Sequence, residues 1–211
     1  MKRRSERLFI NGPAGRLQAL YQPGEPGRAG VVVCHPHPLH GGSMHNKVVY
    51  RMGRAFEDSG CSVLRFNFRG VDLSAGLWDE GRGEADDAAA ALDWMHLKQG
   101  ASPLWLAGFS FGCYAGLQAA RYDERVSRLF AVAPAVNLWP FDFMTGNAKP
   151  CTVIAATDDD IVPVDAVRGW AANQASATFH SIKGAGHFFE GYLDQMQQAL
   201  LQDIQPVLYD Y

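Results

Sequence analysis

The 211-residue sequence has no apolar run long enough to span a bilayer, and its N-terminus lacks the apolar core of a signal peptide. The expectation is a chain without a membrane span, in the cytoplasm by default. Cysteine is scarce: Cys34, Cys61, Cys113 and Cys151 are scattered through apolar segments, with neither C-x-x-C spacing nor the density of a disulfide scaffold. They read as reduced core thiols. Nor does one sign of charge dominate, since 19 Lys and Arg face 22 Asp and Glu for a formal net charge of -3. Nothing in that balance recruits nucleic acid or an anionic membrane, and Lys2-Arg3-Arg4 reads as a solvated terminus.

No repeat, low-complexity tract or domain-joining linker divides the chain, so residues 1–211 are expected to form one domain. Its oligomeric state is not written in the sequence. What the chain does contain is 47% hydrophobic residues, largely in short apolar runs that alternate with helical patterns. Leu8 to Ile10 and Leu17 to Tyr21 flank Asn11-Gly12-Pro13-Ala14-Gly15 and predict a hairpin. Strands are predicted at Val31 to Cys34, Ser62 to Phe68, Leu104 to Ala107, Leu129 to Ala133, Thr152 to Ala155 and Phe179 to Ile182. Helices are predicted at Val48 to Asp58, Glu84 to Leu97, Cys113 to Arg121, Val164 to Asn173 and Leu193 to Leu201. The acidic start of the second helix complements its dipole. This alternation predicts an α/β fold, a mostly parallel sheet with helices on both faces and its ligands at the carboxyl ends of the strands.

One of those strands runs into Gly108-Phe-Ser110-Phe-Gly112, and a helix with small residues at Gly112, Ala115, Gly116 and Ala119 follows. A strand that breaks sharply into a helix strains its turning residue and brings the positions two away into close contact, where glycine fits. Such an elbow lifts the Ser110 hydroxyl above the sheet as a nucleophile. It also points the backbone N–H of Phe111 at the same space, as a donor to an anionic oxygen.

A serine needs a base, and a base works best when a carboxylate orients it. Of the seven histidines, His187 lies in a glycine-rich loop after the last strand, whereas His180 falls inside that strand and His96 late on a helix. The acid is expected after the Thr152 to Ala155 strand, where Asp158, Asp159 and Asp160 stand in a row. The residues alone leave all three open. For a second oxyanion donor the candidate loop is His35-Pro-His-Pro-Leu-His-Gly-Gly42, because Pro36 and Pro38 lack an N–H and leave that of His37 between them. Three histidines in six residues are also a metal pattern, but alternate prolines and no nearby carboxylate weigh against zinc.

Together with Asn46-Lys-Val-Val49, Leu64-Arg-Phe-Asn67-Phe-Arg69-Gly70-Val71, Gly83-Glu84 and Ala91-Leu-Asp-Trp94, these segments resemble the α/β-hydrolase superfamily. More closely they resemble its small, lid-poor bacterial serine hydrolases with an H-P-H-P-x-x-G-G loop. The resemblance covers Val31 to the C-terminal helix. It implies Ser110 as nucleophile, His187 as base and the amides of His37 and Phe111 as oxyanion hole. The acid of its D-x-x-V-P segment falls on Asp159. One departure is Asp72, where similar proteins usually carry glycine, so that a carboxylate there bears on loop conformation or on the polarity of the site entrance. With only Asn137 to Pro150 between two strands, a lid has little room. The aromatic residues in that segment either wall an acyl pocket or pack against the body.

The expected activity is hydrolysis of small carboxylic esters or thioesters through an acyl-enzyme, with no metal or organic cofactor. Acyl transfer, lactone or amide cleavage by the same residues, and a non-catalytic binding protein on the same fold, are the alternatives.

Overall fold

The computed structural model describes residues 5–100 and 102–205, so Lys2-Arg3-Arg4 lie outside the described residues. The first two strands, β1 (Glu6–Gly12) and β2 (Gly15–Gln22), pair antiparallel about Pro13-Ala14. Then come β3 (Gly30–Cys34), α1 (Lys47–Asp58), β4 (Ser62–Phe66), α2 (Arg82–Gln99), β5 (Leu104–Phe109) and α3 (Phe111–Ala120). The chain continues through β6 (Val126–Val132), β7 (Cys151–Ala156), α4 (Val164–Ala172), β8 (Ala177–Ile182) and α5 (Leu193–Ile204). Eight strands form one sheet in the order β1-β2-β4-β3-β5-β6-β7-β8. From β4 to β8 every pairing is parallel, and β2 joins β4 antiparallel.

The central strands are buried on both faces, which is why their sequences are continuous apolar runs rather than alternating ones. Successive side chains of a strand point to opposite faces. Val32, Leu106, Leu129 and Val153 therefore join Ala91 and Leu92 of α2, Leu117 of α3 and Val167 of α4 in one core cluster. Val31, Val33, Trp105, Phe130 and Ile154 join Met52 and Phe56 of α1 and Leu200 of α5 in the other. Strands β3 and β5 are neighbours, but the helices that follow them, α1 and α3, pack on opposite faces. The two loops must diverge there, and divergence leaves a crevice above the strand ends.

Most element ends lie within one to three residues of the sequence expectation, and two of the shifts have a visible side-chain cause. β4 stops at Phe66 rather than Phe68, because the buried N–H of Phe68 donates to Nε2 of His35, 3.0 Å away, instead of to a strand carbonyl. α2 starts at Arg82, and Glu84 acts as more than a charge near a dipole. Its buried carboxylate accepts from the N–H groups of Asp79 at 3.0 Å and Gly81 at 2.8 Å, tying down the loop that enters the helix. Burial raises its pKa above the usual carboxylate value, against the pull of those amides. Nearby, Arg69 reaches Asp87 through two bonds of 2.8 and 3.0 Å and fastens the loop after β4 to α2.

Between β6 and β7 the chain forms a single 3-10 turn, Asp142–Met144, so the later strands carry no helical lid. No helix among the described residues is long and apolar enough to cross a membrane. All four cysteines are buried and free.

Candidate active site

The turn after β5 has the strain its sequence demands. Ser110 adopts φ 54° and ψ -118°, a region that side chains other than glycine rarely occupy. Its N–H is tied to the Val132 carbonyl of β6 at 2.9 Å. A Cβ on Gly108 would stand 2.5 Å from the carbonyl oxygen of Gly112, and one on Gly112 would stand 2.4 Å from that of Cys34. Both elbow glycines thus meet backbone, and the first turn of α3 seats against the end of β3.

From β8 the chain runs through Gly184-Ala-Gly and presents His187, whose ring packs between Phe109 and Phe188 at centroid distances of 5.2 and 5.1 Å. His187 Nε2 lies 3.0 Å from Ser110 Oγ, and its Nδ1 lies 2.8 Å from Asp159 Oδ2. Asp159 is clamped in turn, with Oδ1 accepting the N–H groups of Ile161 at 2.9 Å and Val162 at 2.7 Å. All three residues are buried. A carboxylate held on one oxygen by two amides has its other oxygen free to fix the imidazole, so that Nδ1–H donates to Asp159 and Nε2 is left to accept from serine. Asp158 and Asp160 are exposed and do not reach His187. Asp158 instead accepts from the Thr157 hydroxyl at 2.7 Å.

Over the elbow lies the loop after β3. The His37 carbonyl accepts from the N–H groups of His40 and Gly42, which closes a tight turn. Gly41 has φ 77°, and a Cβ on Gly42 would fall 2.1 Å from the Pro36 carbonyl oxygen, so this turn requires the paired glycines. No acceptor among the described residues takes the backbone N–H of His37 or of Phe111. Phe111 supplies the first N–H of α3, one of the four a helix cannot bond internally.

The three histidines of this loop do separate jobs. His35 is wholly buried, with Nδ1 against the Pro36 carbonyl at 2.7 Å and Nε2 accepting from Phe68 N–H. Burial pushes its pKa down to about 4, opposed by the Pro36 carbonyl and by the negative charge of Asp72. The His37 ring stacks on His40 at 4.4 Å and also meets Trp78 and Phe111. Partial burial and then the neighbouring His40 lower its pKa. Asp72, with φ 47°, sits in the left-handed region that glycine would favour, and its carboxylate accepts from Asn67 Nδ2 at 2.8 Å. It shapes the loop rather than the rim of the cavity.

A cavity of about 160 Å³ opens beside Ser110 and His187, walled by His37, Leu138, Trp139 and Ile161 among others. The segment after β6 is therefore divided: Leu138 and Trp139 face the cavity, whereas Phe141 and Met144 are buried in the core. Sequence reasoning did not find Ile161 or Phe188 at this cavity. The one signal available was adjacency, since each lies within two residues of Asp159 or His187.

The family model for the α/β hydrolase fold matches residues 31–146. An uncharacterised protein of Rickettsia prowazekii is 35% identical over 204 residues, which is 92% of this chain and 86% of its own. A structure described as an α/β serine hydrolase homologue from Coxiella burnetii is 37% identical, with a TM-score of 0.89 over 94% of this chain and 96% of its own. A Xanthomonas campestris protein, described as an α/β serine hydrolase without a lid, is likewise 37% identical with a TM-score of 0.89, over 98% of this chain and 96% of its own. Sheet order, matched segments and these relatives agree, and the chain belongs to the α/β-hydrolase fold family.

Proposed function

We propose that this protein is a serine esterase that cleaves small carboxylic esters or thioesters through an acyl-enzyme. The observation that carries the reading is the unbroken chain of contacts from Asp159 through His187 to Ser110, at 2.8 and 3.0 Å, on a strained elbow beside a cavity. Ser110 Oγ attacks the substrate carbonyl carbon while His187 Nε2 takes its proton. The carbonyl oxygen becomes an oxyanion held by the N–H groups of His37 and Phe111. Collapse of this intermediate breaks the bond to the leaving oxygen or sulfur, which receives the proton from His187. Water then attacks the acyl carbon and gives its proton to His187, and the Ser110 bond breaks to release the acid and restore the serine proton. Asp159 stays ionised throughout and orients the imidazole.

The test is labelling with a fluorophosphonate probe together with turnover of p-nitrophenyl butyrate. We expect one adduct, on Ser110 by peptide mass spectrometry, and turnover reduced about 10⁴- to 10⁶-fold in Ser110→Ala. A labelled residue other than Ser110, or undiminished turnover in Ser110→Ala, refutes the reading.

A further inference from the structure

The loop after β3 is closed by a side chain that the mechanism above does not use. Pro38–His40 forms a single 3-10 turn with His37 at its N-cap. The first N–H groups of such a turn find no carbonyl within it, and Pro38 has no N–H to satisfy. That leaves Leu39, whose N–H donates to His37 Nδ1 at 3.2 Å. The His37 carbonyl meanwhile accepts from His40 at 3.1 Å and from Gly42 at 3.0 Å. Three bonds therefore hold His37, one on its ring and two on its carbonyl, while its own N–H stays open.

Ser, Thr, Asn and Asp are the usual caps. What an imidazole adds is a ring that neighbours can hold in place. This one packs on His40 at a centroid distance of 4.4 Å, on Trp78 at 4.6 Å and on the Phe111 ring at 5.1 Å. Phe111 carries the other proposed oxyanion N–H, so the two donor residues also meet through their side chains.

To accept at Nδ1 the ring must carry its one proton on Nε2. A second proton turns Nδ1 into a donor that faces the Leu39 N–H, and the cap is lost. Among the described residues the titratable group against this ring is His40, on the same loop. Trp78, Phe111 and Trp139, which reach it from three other segments, bring no charge, and His187 lines the same cavity. Burial, and then the neighbouring His40, favour the neutral ring.

Resting on the esterase reading above, we propose that the His37 side chain is a positioning residue for the oxyanion hole: its unprotonated Nδ1, by accepting the Leu39 N–H, fixes the peptide whose N–H receives the oxyanion. The reaction then needs two neutral histidines, His187 as base and His37 as cap. Protonating His37 releases the turn even where His187 is still neutral.

The experiment measures kcat and KM for p-nitrophenyl butyrate from pH 4.5 to 8 in wild type, His37→Ala and His37→Asn, with folding checked by circular dichroism at each pH and Ser110 by fluorophosphonate labelling. Asn keeps an acceptor for the N–H two residues on and does not titrate. His37→Ala should lower kcat about 30- to 100-fold, short of the full cost of an oxyanion donor, with KM within about twofold. His37→Asn should recover about tenfold of that loss. At the acid end, log kcat of wild type should fall with a slope above 1, whereas His37→Asn, left with His187 alone, should keep a slope of about 1. A His37→Ala loss carried by KM, equal losses in the two variants, or the same acid slope in wild type and His37→Asn overturns the proposal, while labelled Ser110 keeps the esterase reading. An unlabelled Ser110 in wild type removes both.

Discussion

Gly112 of the elbow lies against the carbonyl of Cys34, so close that a Cβ there would stand 2.4 Å from the oxygen, and 2.5 Å from that of His35. This contact seats the helix that starts at the serine on the strand that leads into the histidine-proline loop. Gly112→Ala must therefore push α3 away from β3. We expect a destabilisation of about 3 kcal/mol or more, read as a lower denaturation midpoint in urea. An unchanged midpoint would mean that the two backbones are not in contact.

The three aspartates after β7 should separate sharply on substitution. Asp159→Asn keeps the shape but cannot accept from His187 as a carboxylate does, and it should lower kcat by about 10⁴-fold. Asp158→Asn and Asp160→Asn change exposed groups and should stay within about threefold. Steady-state kinetics on p-nitrophenyl butyrate decide the matter, and comparable losses at all three positions would count against Asp159.

Gly42→Ala probes the second proposed oxyanion donor without touching the serine. Its Cβ would fall 2.1 Å from the Pro36 carbonyl and 2.6 Å from that of His37, so the turn must open and the His37 N–H must shift. The expected loss in kcat is about 10²- to 10³-fold, the cost of one oxyanion donor. Fluorophosphonate labelling of Ser110 should be slowed as well, and kcat near the wild-type value would remove His37 from the hole.

His35 links stability to pH. Its ordinary value of 6.5 falls to about 4 in the folded protein, chiefly through burial, so the unfolded chain binds the proton more readily in that interval. The neutral ring's contribution is complete above about pH 6.5, and as pH drops toward 4 about 3 kcal/mol is lost. His35→Ala should be about 2 kcal/mol less stable at pH 7.5, because it strands the buried Phe68 N–H. The gap between wild type and variant should then narrow on acidification. Urea titrations at pH 7.5, 5.5 and 4.5 measure it, and a gap that widens would show that His35 is charged when folded.

Much of the fold was legible because it depends on local rules. Continuous apolar runs such as Val31 to Cys34 marked strands buried on both faces, and the spacing of Val49, Met52 and Phe56 marked α1. Element ends were less legible where side chains set them, as at Phe68, whose N–H turns to a histidine 33 positions earlier. The same holds for Glu84, which looked like a charge placed for a helix dipole and proved to be a buried cap.

By itself the sequence determined an α/β sheet with a serine at a glycine-flanked turn, because backbone sterics tie G-x-S-x-G to a sharp elbow and paired prolines leave one N–H between them. Its residues alone left three aspartates open, with Asp159 favoured only through the family resemblance, and the segment after β6 stayed ambiguous. The tertiary structure supplies the geometry for both. Which carboxylate meets His187 depends on how the loops after β7 and β8 approach in space, and which aromatics face the cavity depends on the packing of that segment against α3. The sharing of strand side chains between the two cores was also hidden, since strands apolar on both faces show no alternation to read.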